Sequence, residues 1–420
     1  MRLRIAIAGA AIAASVLVFS SGGWTYAGQG RHPSVGQILE VPTPTARAQP
    51  EGIAPGPDGN SWFTEVLVSK VGQVTPHGQI RELNLPPLSD GPSDITAGPD
   101  GNLWFTLESG NAIAVITSTG QVAEFTVPTE SSDPLGIAAG PDGNLWFTEV
   151  LGNKIGAITP AGSIREFSVP TAGSEPDEIT VGPDGNLWFT EATGDKVGRI
   201  TTSGHVTEFA VPTAGAQPQG ITAGSDGALW FGELSGNKIG RIATSGQVTE
   251  FPVPTSASQP DGITAGPDGN VWFTEVTGNK IGQITPGGTI TEFPIPTVDA
   301  QAVRIAPGSD GNLWFSENKS SKIGRITDAP ASAITLVPDS GPPGTQVSVT
   351  GGGFGAFEPV GIYFIDTVHG KALIGTASTG ADGRFAASVT IPTGATTGAQ
   401  TVQARGRTSR LAATQPFTVT

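Results

Sequence analysis

The chain contains no cysteine. Disulfides, thiolate metal ligands, a cysteine nucleophile and a lipid anchor on cysteine are therefore excluded. Histidine is nearly as scarce, with four in 420 residues: His32, His77, His205 and His369. Charged residues make up 14% of the chain, against a usual share of about 25%. What charge there is leans acidic, with 37 Asp and Glu against 22 Lys and Arg, for a net charge of −15. An acidic chain without a basic stripe is a poor nucleic-acid binder. No Ser-His-Asp arrangement, P-loop or HExxH motif is present. No segment sustains a helical period, so helix content should be very low.

Long apolar runs are missing too, with one exception. Arg2 and Arg4 precede an apolar stretch from Ile5 to Phe19, and Thr25-Tyr26-Ala27 follows as a cleavage site. Residues 1–27 read as a secretory signal peptide. The stretch is shorter than the ~20 residues of a membrane span, and an uncleaved anchor is the alternative reading. Cleavage would remove two Arg and no acid, taking the net charge from −15 to −17. The expected location is secreted or extracellular, cell-surface association included, with no membrane span after signal removal.

Glycine and proline are abundant, at 60 and 35 residues. Alone this would suggest disorder, but eight Trp and eighteen Phe need a core to bury them. The two facts are reconciled by an internal repeat. A G-(P/S)-D-G tetrapeptide begins at Gly56, Gly98, Gly140, Gly182, Gly224, Gly266 and Gly308, every 42 residues without insertion. A Trp-Phe pair follows in phase, from Trp62 to Trp314. Each unit carries four short strand signals separated by Gly-rich turns. Four antiparallel strands repeated seven times predict an all-β fold, a seven-bladed β-propeller over residues 35–328, after an N-terminal segment at 28–34. The WD40 period is similar, but that family's Gly-His and Trp-Asp pairs are missing. Gly36 to Thr43 matches a fourth strand, while the last unit supplies only three. The N-terminal strand should therefore close the last blade. Residues 329–420 leave the frame and resemble a small Ig-like, IPT/TIG-like β-sandwich of about seven strands. Asp328 to Ala331 is the expected linker.

Strand parity places the G-(P/S)-D-G turns on the lower face and the start of each innermost strand at the upper mouth of the central channel. That mouth collects Glu51, Asp94, Asp177, Glu178, Asp261 and Arg304, which vary while the surrounding frame repeats. The reading is a binding rim for a divalent cation through oxygen ligands or for a cationic ligand, against a merely solvated polar edge. The Glu ending six of the seven second strands, such as Glu149, reads as structural, bonding the adjacent N-K turn. The in-phase Trp residues read as packing between blades. His77 and His205 fall in lower-face turns, and His369 in the C-terminal domain, so none joins the rim.

Units such as Gly262–Thr297 resemble the virginiamycin B lyase, or streptogramin lyase, family, and the likeness runs through all seven repeats. The resemblance implies a lyase that opens a cyclic depsipeptide antibiotic by Mg²⁺-assisted elimination. A base would remove a proton next to a carbonyl, and the cation would hold the developing enolate. The family's Glu-Pro-His-Gly-Ile run is matched here by Glu175-Pro176-Asp177-Glu178-Ile179. By that match Asp177 stands at the catalytic His position and Glu175 at a metal-binding Glu. The second family Glu lies four residues after a Trp, where the fourth unit has Ala192 and the second has Glu108. No unit carries the complete set. Two functions follow. One is an extracellular, non-catalytic or divergent binding protein that takes a small cyclic peptide, cell-envelope polymer or partner protein at the upper rim. The other is a Mg-dependent carbon–oxygen lyase active in antibiotic resistance.

Overall fold

The computed structural model describes residues 35–86, 90–328, 333–354, 358–380, 384–407 and 412–420. The expected signal peptide, the segment 28–34 with His32, and residues 329–331 of the expected linker lie outside the described residues. Among those described, no helix is long and apolar enough to cross a membrane; one 3₁₀ turn, Val66–Val68, interrupts an otherwise all-β chain.

Seven four-stranded antiparallel sheets are present. Six are continuous in sequence, over 50–84, 92–126, 134–168, 176–210, 218–252 and 260–294. The seventh joins 302–326 to β1 (Ile38–Pro42), whose Ile38 pairs with Ile326 and Pro42 with Lys322. The first strand of each sheet packs on those of both neighbours, and the seventh meets the first, so the sheets form a closed propeller.

The repeat is legible as physics in the third sheet. Asp142 Oδ1 accepts hydrogen bonds from Asn144 N at 3.2 Å and from Trp146 Nε1 at 3.0 Å. The turn residue thus also anchors the indole. Gly143 sits at φ +78°, where a side chain would be strained. The strand Leu145–Glu149 is buried along its whole length, because neighbouring sheets cover both of its faces. Trp146 is fully buried, stacks on Phe167 at 5.6 Å and packs onto the fourth sheet's Ile179 and Leu187. Gly156 faces Phe147 so closely that a Cβ would enter the ring, which explains the recurring Ile-Gly pair.

The Glu that ends a second strand is buried, and the expected bond to the turn is seen at Glu317, which accepts Ser320 Oγ at 2.6 Å, but not in the third sheet. Glu149 does not bond the N-K turn. Lys154 Nζ reaches Glu166 Oε2 at 2.9 Å and Thr129 Oγ1 at 2.5 Å, while Thr129 N donates to Glu166 Oε1 at 2.8 Å. The lysine is pulled to the fourth strand because Glu166 lies at the half-exposed edge, where charge is cheaper to hold than beside the fully buried Glu149. Asn153 satisfies the turn itself, donating to Val169 O and Thr171 O.

The C-terminal region forms a three-stranded sheet (Ala333–Val337, Gln346–Gly352, Phe385–Thr390) and a five-stranded sheet containing Pro359–Asp366 and Ala412–Val419. Both contribute to one core, including Val347, Val349, Ile362, Phe364, Val402 and Phe417. This is a β-sandwich of eight strands, one more than expected, the extra being the two-residue Ser340–Gly341.

Candidate functional site at the channel mouth

Each innermost strand carries a β-bulge near its start. In the fourth sheet the register shifts between Pro176, opposite Glu191, and Ile179, opposite Phe189. The same shift recurs in all seven sheets. A bulge frees residues from the ladder and re-aims them. The residues so freed are the rim positions, such as Glu51, Asp94, Asp177, Glu178, Asp261 and Arg304.

A ring of hydroxyls holds these bulges in place. Thr148 Oγ1 accepts the N–H of Gly136 on its own sheet at 2.9 Å and donates to Asp177 O on the next at 2.6 Å. Thr64 bridges to Ser93 O, Thr106 to Leu135 O and Thr274 to Val303 O in the same way. Ser316 Oγ donates to Glu51 O at 2.6 Å across the closure of the ring. Gly232 interrupts the series in the fifth sheet. These hydroxyls are the Thr of the recurring W-F-T-E run. Their phase was visible in the sequence, but their role emerges only when neighbouring sheets are placed side by side.

At the mouth one cation gathers the acids. Arg304 is 7% exposed; its guanidinium contacts Glu178 and places Nη1 2.8 Å from Asp261 Oδ1 and Nη2 4.0 Å from Asp177 Oδ1. Burial opposes this charge, but Glu178, Asp261, Asp177 and Asp94 outweigh it and hold the arginine pKa well above its usual value. Arg304 Nε has no hydrogen-bond partner among the described residues. Asp94 accepts the Ile137 N–H at 2.9 Å. Its pKa is pushed up to about 6 by burial, which the charge of Arg304 and two backbone N–H groups only partly offset. Ser93 Oγ lies 3.3 Å from Glu51 Oε1. Gln219, with its amide turned to donate, reaches the two Asp177 oxygens at 3.2 and 3.1 Å. Below this polar layer lies a cavity of about 100 Å³, lined by Arg304, Asp94, Glu178 and the isoleucines 53, 221, 263 and 305.

The structure thus brings Arg304 together with Glu178, Asp261, Asp177 and Asp94. Glu175 and Glu108 stand apart, on sheets separated by a third. Glu175 has a left-handed backbone, φ +51°, and its carbonyl accepts Ala192 N at 3.0 Å. Glu108 donates its own N–H to Gly91 O at 2.9 Å. Among the described residues no three His, Asp or Glu converge as a metal site. Ser93 and Gln219 occupy variable rim slots in the sequence as well, but an uncharged residue there gives no chemical signal, and their contacts to Glu51 and Asp177 emerge only from the structure.

The Virginiamycin B lyase family profile matches residues 25–177 and 162–342. The fold is similar to a streptogramin B lyase at 39% identity, covering 69% of this chain and 97% of that one, with a TM-score of 0.67. It is also similar to virginiamycin B lyase from Staphylococcus aureus at 42% identity, covering 69% and 99%, with a TM-score of 0.67. A catalytically inactive variant of the Staphylococcus aureus enzyme, solved with quinupristin, matches with the same values. The WD40 propeller domain of Doa1, at 9% identity and a TM-score of 0.57 over 70% and 95% of the two chains, shares the fold alone. No curated protein sequence matches the chain. A repeat legible in every sheet, a closed ring and two family-profile matches that run from residue 25 to residue 342 agree: the chain belongs to the virginiamycin B lyase family.

Proposed function

We propose that this propeller is a divergent family member that binds a small cyclic peptide at the channel mouth without cleaving it, and that it acts outside the cell. The observation that carries the reading is Arg304 seated among the rim acids. Its guanidinium stands where a divalent cation would have to sit to be shared by Glu178 and Asp261, and like charges at that distance exclude each other. A divalent cation does not fit such a donor set, and Glu175 and Glu108, the residues that the family resemblance assigns to Mg²⁺, do not converge either. Among the described residues no imidazole stands at the mouth, for the histidines lie in lower turns (His77, His205) or in the sandwich (His369). A peptide suits what is there. The surplus of carboxylates at the mouth favours ligand N–H groups or a cationic group. The C-terminal sandwich, read as an Ig-like module, would then serve as a spacer or adhesion unit.

The alternative is a surviving elimination with Asp177 as base. It is favoured by 42% identity to a virginiamycin B lyase and by the buried placement of Asp177 beside Gln219. Quinupristin separates the two readings. Elimination opens the ring without changing its mass, so the product must be followed by chromatography and fragment-ion spectra. The expected result is calorimetric binding, weakened at least tenfold in an Asp261→Asn, Glu178→Gln variant, with the ring intact in the presence of Mg²⁺. Linear product that disappears in a Glu175→Ala, Asp177→Ala variant would establish the lyase instead.

A further inference from the structure

The lower face holds a second cavity, of about 360 Å³, at the joint between the first and second sheets. Its wall includes the face of Trp62, with Leu83, Leu103 and Ile116 behind it, and Gly120 at the far side.

The other joints show what normally fills this space. At five of them a fourth-strand Phe stacks on its sheet's Trp, with ring centroids 5.4 to 5.8 Å apart. The same Phe lies against a turn glycine of the next sheet so tightly that a Cβ there would enter the ring, as at Gly162 against Phe125. In the first sheet that position is Leu83, and among the described residues nothing lies within 4 Å of a Cβ built on Gly120. The seventh sheet also lacks the Phe, with Val41 in its place. There Arg325 covers Trp314 at 5.7 Å and reaches Pro76 O on the first sheet at 3.1 Å, so the joint is closed. The first sheet has Gln73 at the arginine position, held by Asp58 at 2.5 Å. Trp62 is accordingly half-buried, while the other six repeat tryptophans are at most 2% exposed.

We propose that this joint is a binding site for the monocyclic aromatic ring of a small molecule, seated on Trp62 where sister joints seat phenylalanine. The volume agrees, since an apolar cavity of about 150 Å³ already takes benzene and ligand sites start near 300 Å³. Stacking of flat rings on indole supplies the preference for aryl over alkyl groups. The site lies on the face opposite the channel mouth and is independent of the function proposed there.

The test is titration of the full chain with p-cresol, followed by indole N–H resonances in two-dimensional NMR. Saturable binding should shift one indole signal, the one absent from a Trp62→Phe variant. Leu83→Phe and Gln73→Arg each restore a filling that the sister joints use. Either should weaken p-cresol binding at least tenfold, and Leu83→Phe should raise Tm. Cyclohexanol, similar in size but not aromatic, should bind more weakly by a similar factor. No saturable p-cresol binding, or binding unchanged in both filled variants, would overturn the proposal.

Discussion

At the scale of single residues, Arg304 sets the character of the channel mouth. Its charge compensates several carboxylates that could not share so small a space alone. Arg304→Gln should therefore destabilise the protein by about 3–5 kcal/mol near neutral pH, the usual cost of stranding buried partners. The loss should shrink at pH 5, where the stranded acids can take protons. Chemical denaturation at the two pH values measures both. The candidate acids were legible in the sequence because they break a regular frame, Asp94 and Asp177 for example. That Arg304 joins Asp261 on the adjacent sheet and Glu178 on a sheet three places away was not legible. Ring geometry brings them together, and no spacing within the 42-residue unit encodes it.

At the scale of the repeated strand, the recurring Trp-Phe-Thr-Glu run was legible in its first two residues and only partly in its last. Trp and Phe announce burial by their size. The Glu looked like a turn-bonding residue, yet Glu65, Glu149, Glu191, Glu233, Glu275 and Glu317 are fully buried. Burial, with the neighbouring fourth-strand carboxylate adding to it, pushes their pKa values up to about 8 for Glu65 and Glu233 and about 7 for Glu149, Glu191, Glu275 and Glu317. The lower values belong to the glutamates with a serine alongside: Ser132, Ser174, Ser258 and Ser320. An acid that holds its proton more tightly when folded stabilises the fold while protonated. Stability from these sites is therefore lost as pH climbs from the unfolded value, near 4.5, through 7 to 8. The fourth-strand partners act in the opposite sense. Burial alone would raise Glu166, but hydrogen bonds from Lys154 and Thr129 outweigh it and lower its pKa, so its contribution is lost as pH falls. Thermal stability should accordingly peak in mildly acidic solution and fall by pH 8.5. Glu191→Gln, which mimics the protonated form, should raise Tm at pH 8.5 and leave it nearly unchanged at pH 5.5. Calorimetric scans across that range check the slope.

At the scale of the whole molecule, everything depends on how the ring is shut. The seventh sheet is completed by β1, and Glu40 on that strand accepts Lys322 Nζ at 3.0 Å and Thr297 N at 2.9 Å. The N-terminal strand is thus clamped like any other fourth strand. Removing residues 35–42 should lower Tm by several degrees and expose the edge at Lys322–Ile326, causing self-association visible by light scattering. A synthetic peptide spanning 35–46 should reverse both effects by strand addition. This closure was legible in the sequence as a fourth-strand pattern standing ahead of the first unit. The open first joint was not. A leucine in place of phenylalanine looks conservative until the facing Gly120 is placed opposite it. The closure also orders events in time. Sheets one to six can each pair from a single stretch of emerging chain, but Ile38 leaves the ribosome 288 residues ahead of its partner Ile326. At roughly 5–20 residues per second, that strand waits about 15–60 s with its backbone unpaired. The first strand made is the last one placed, so the nascent chain cannot shut its ring until almost the entire propeller has been synthesised.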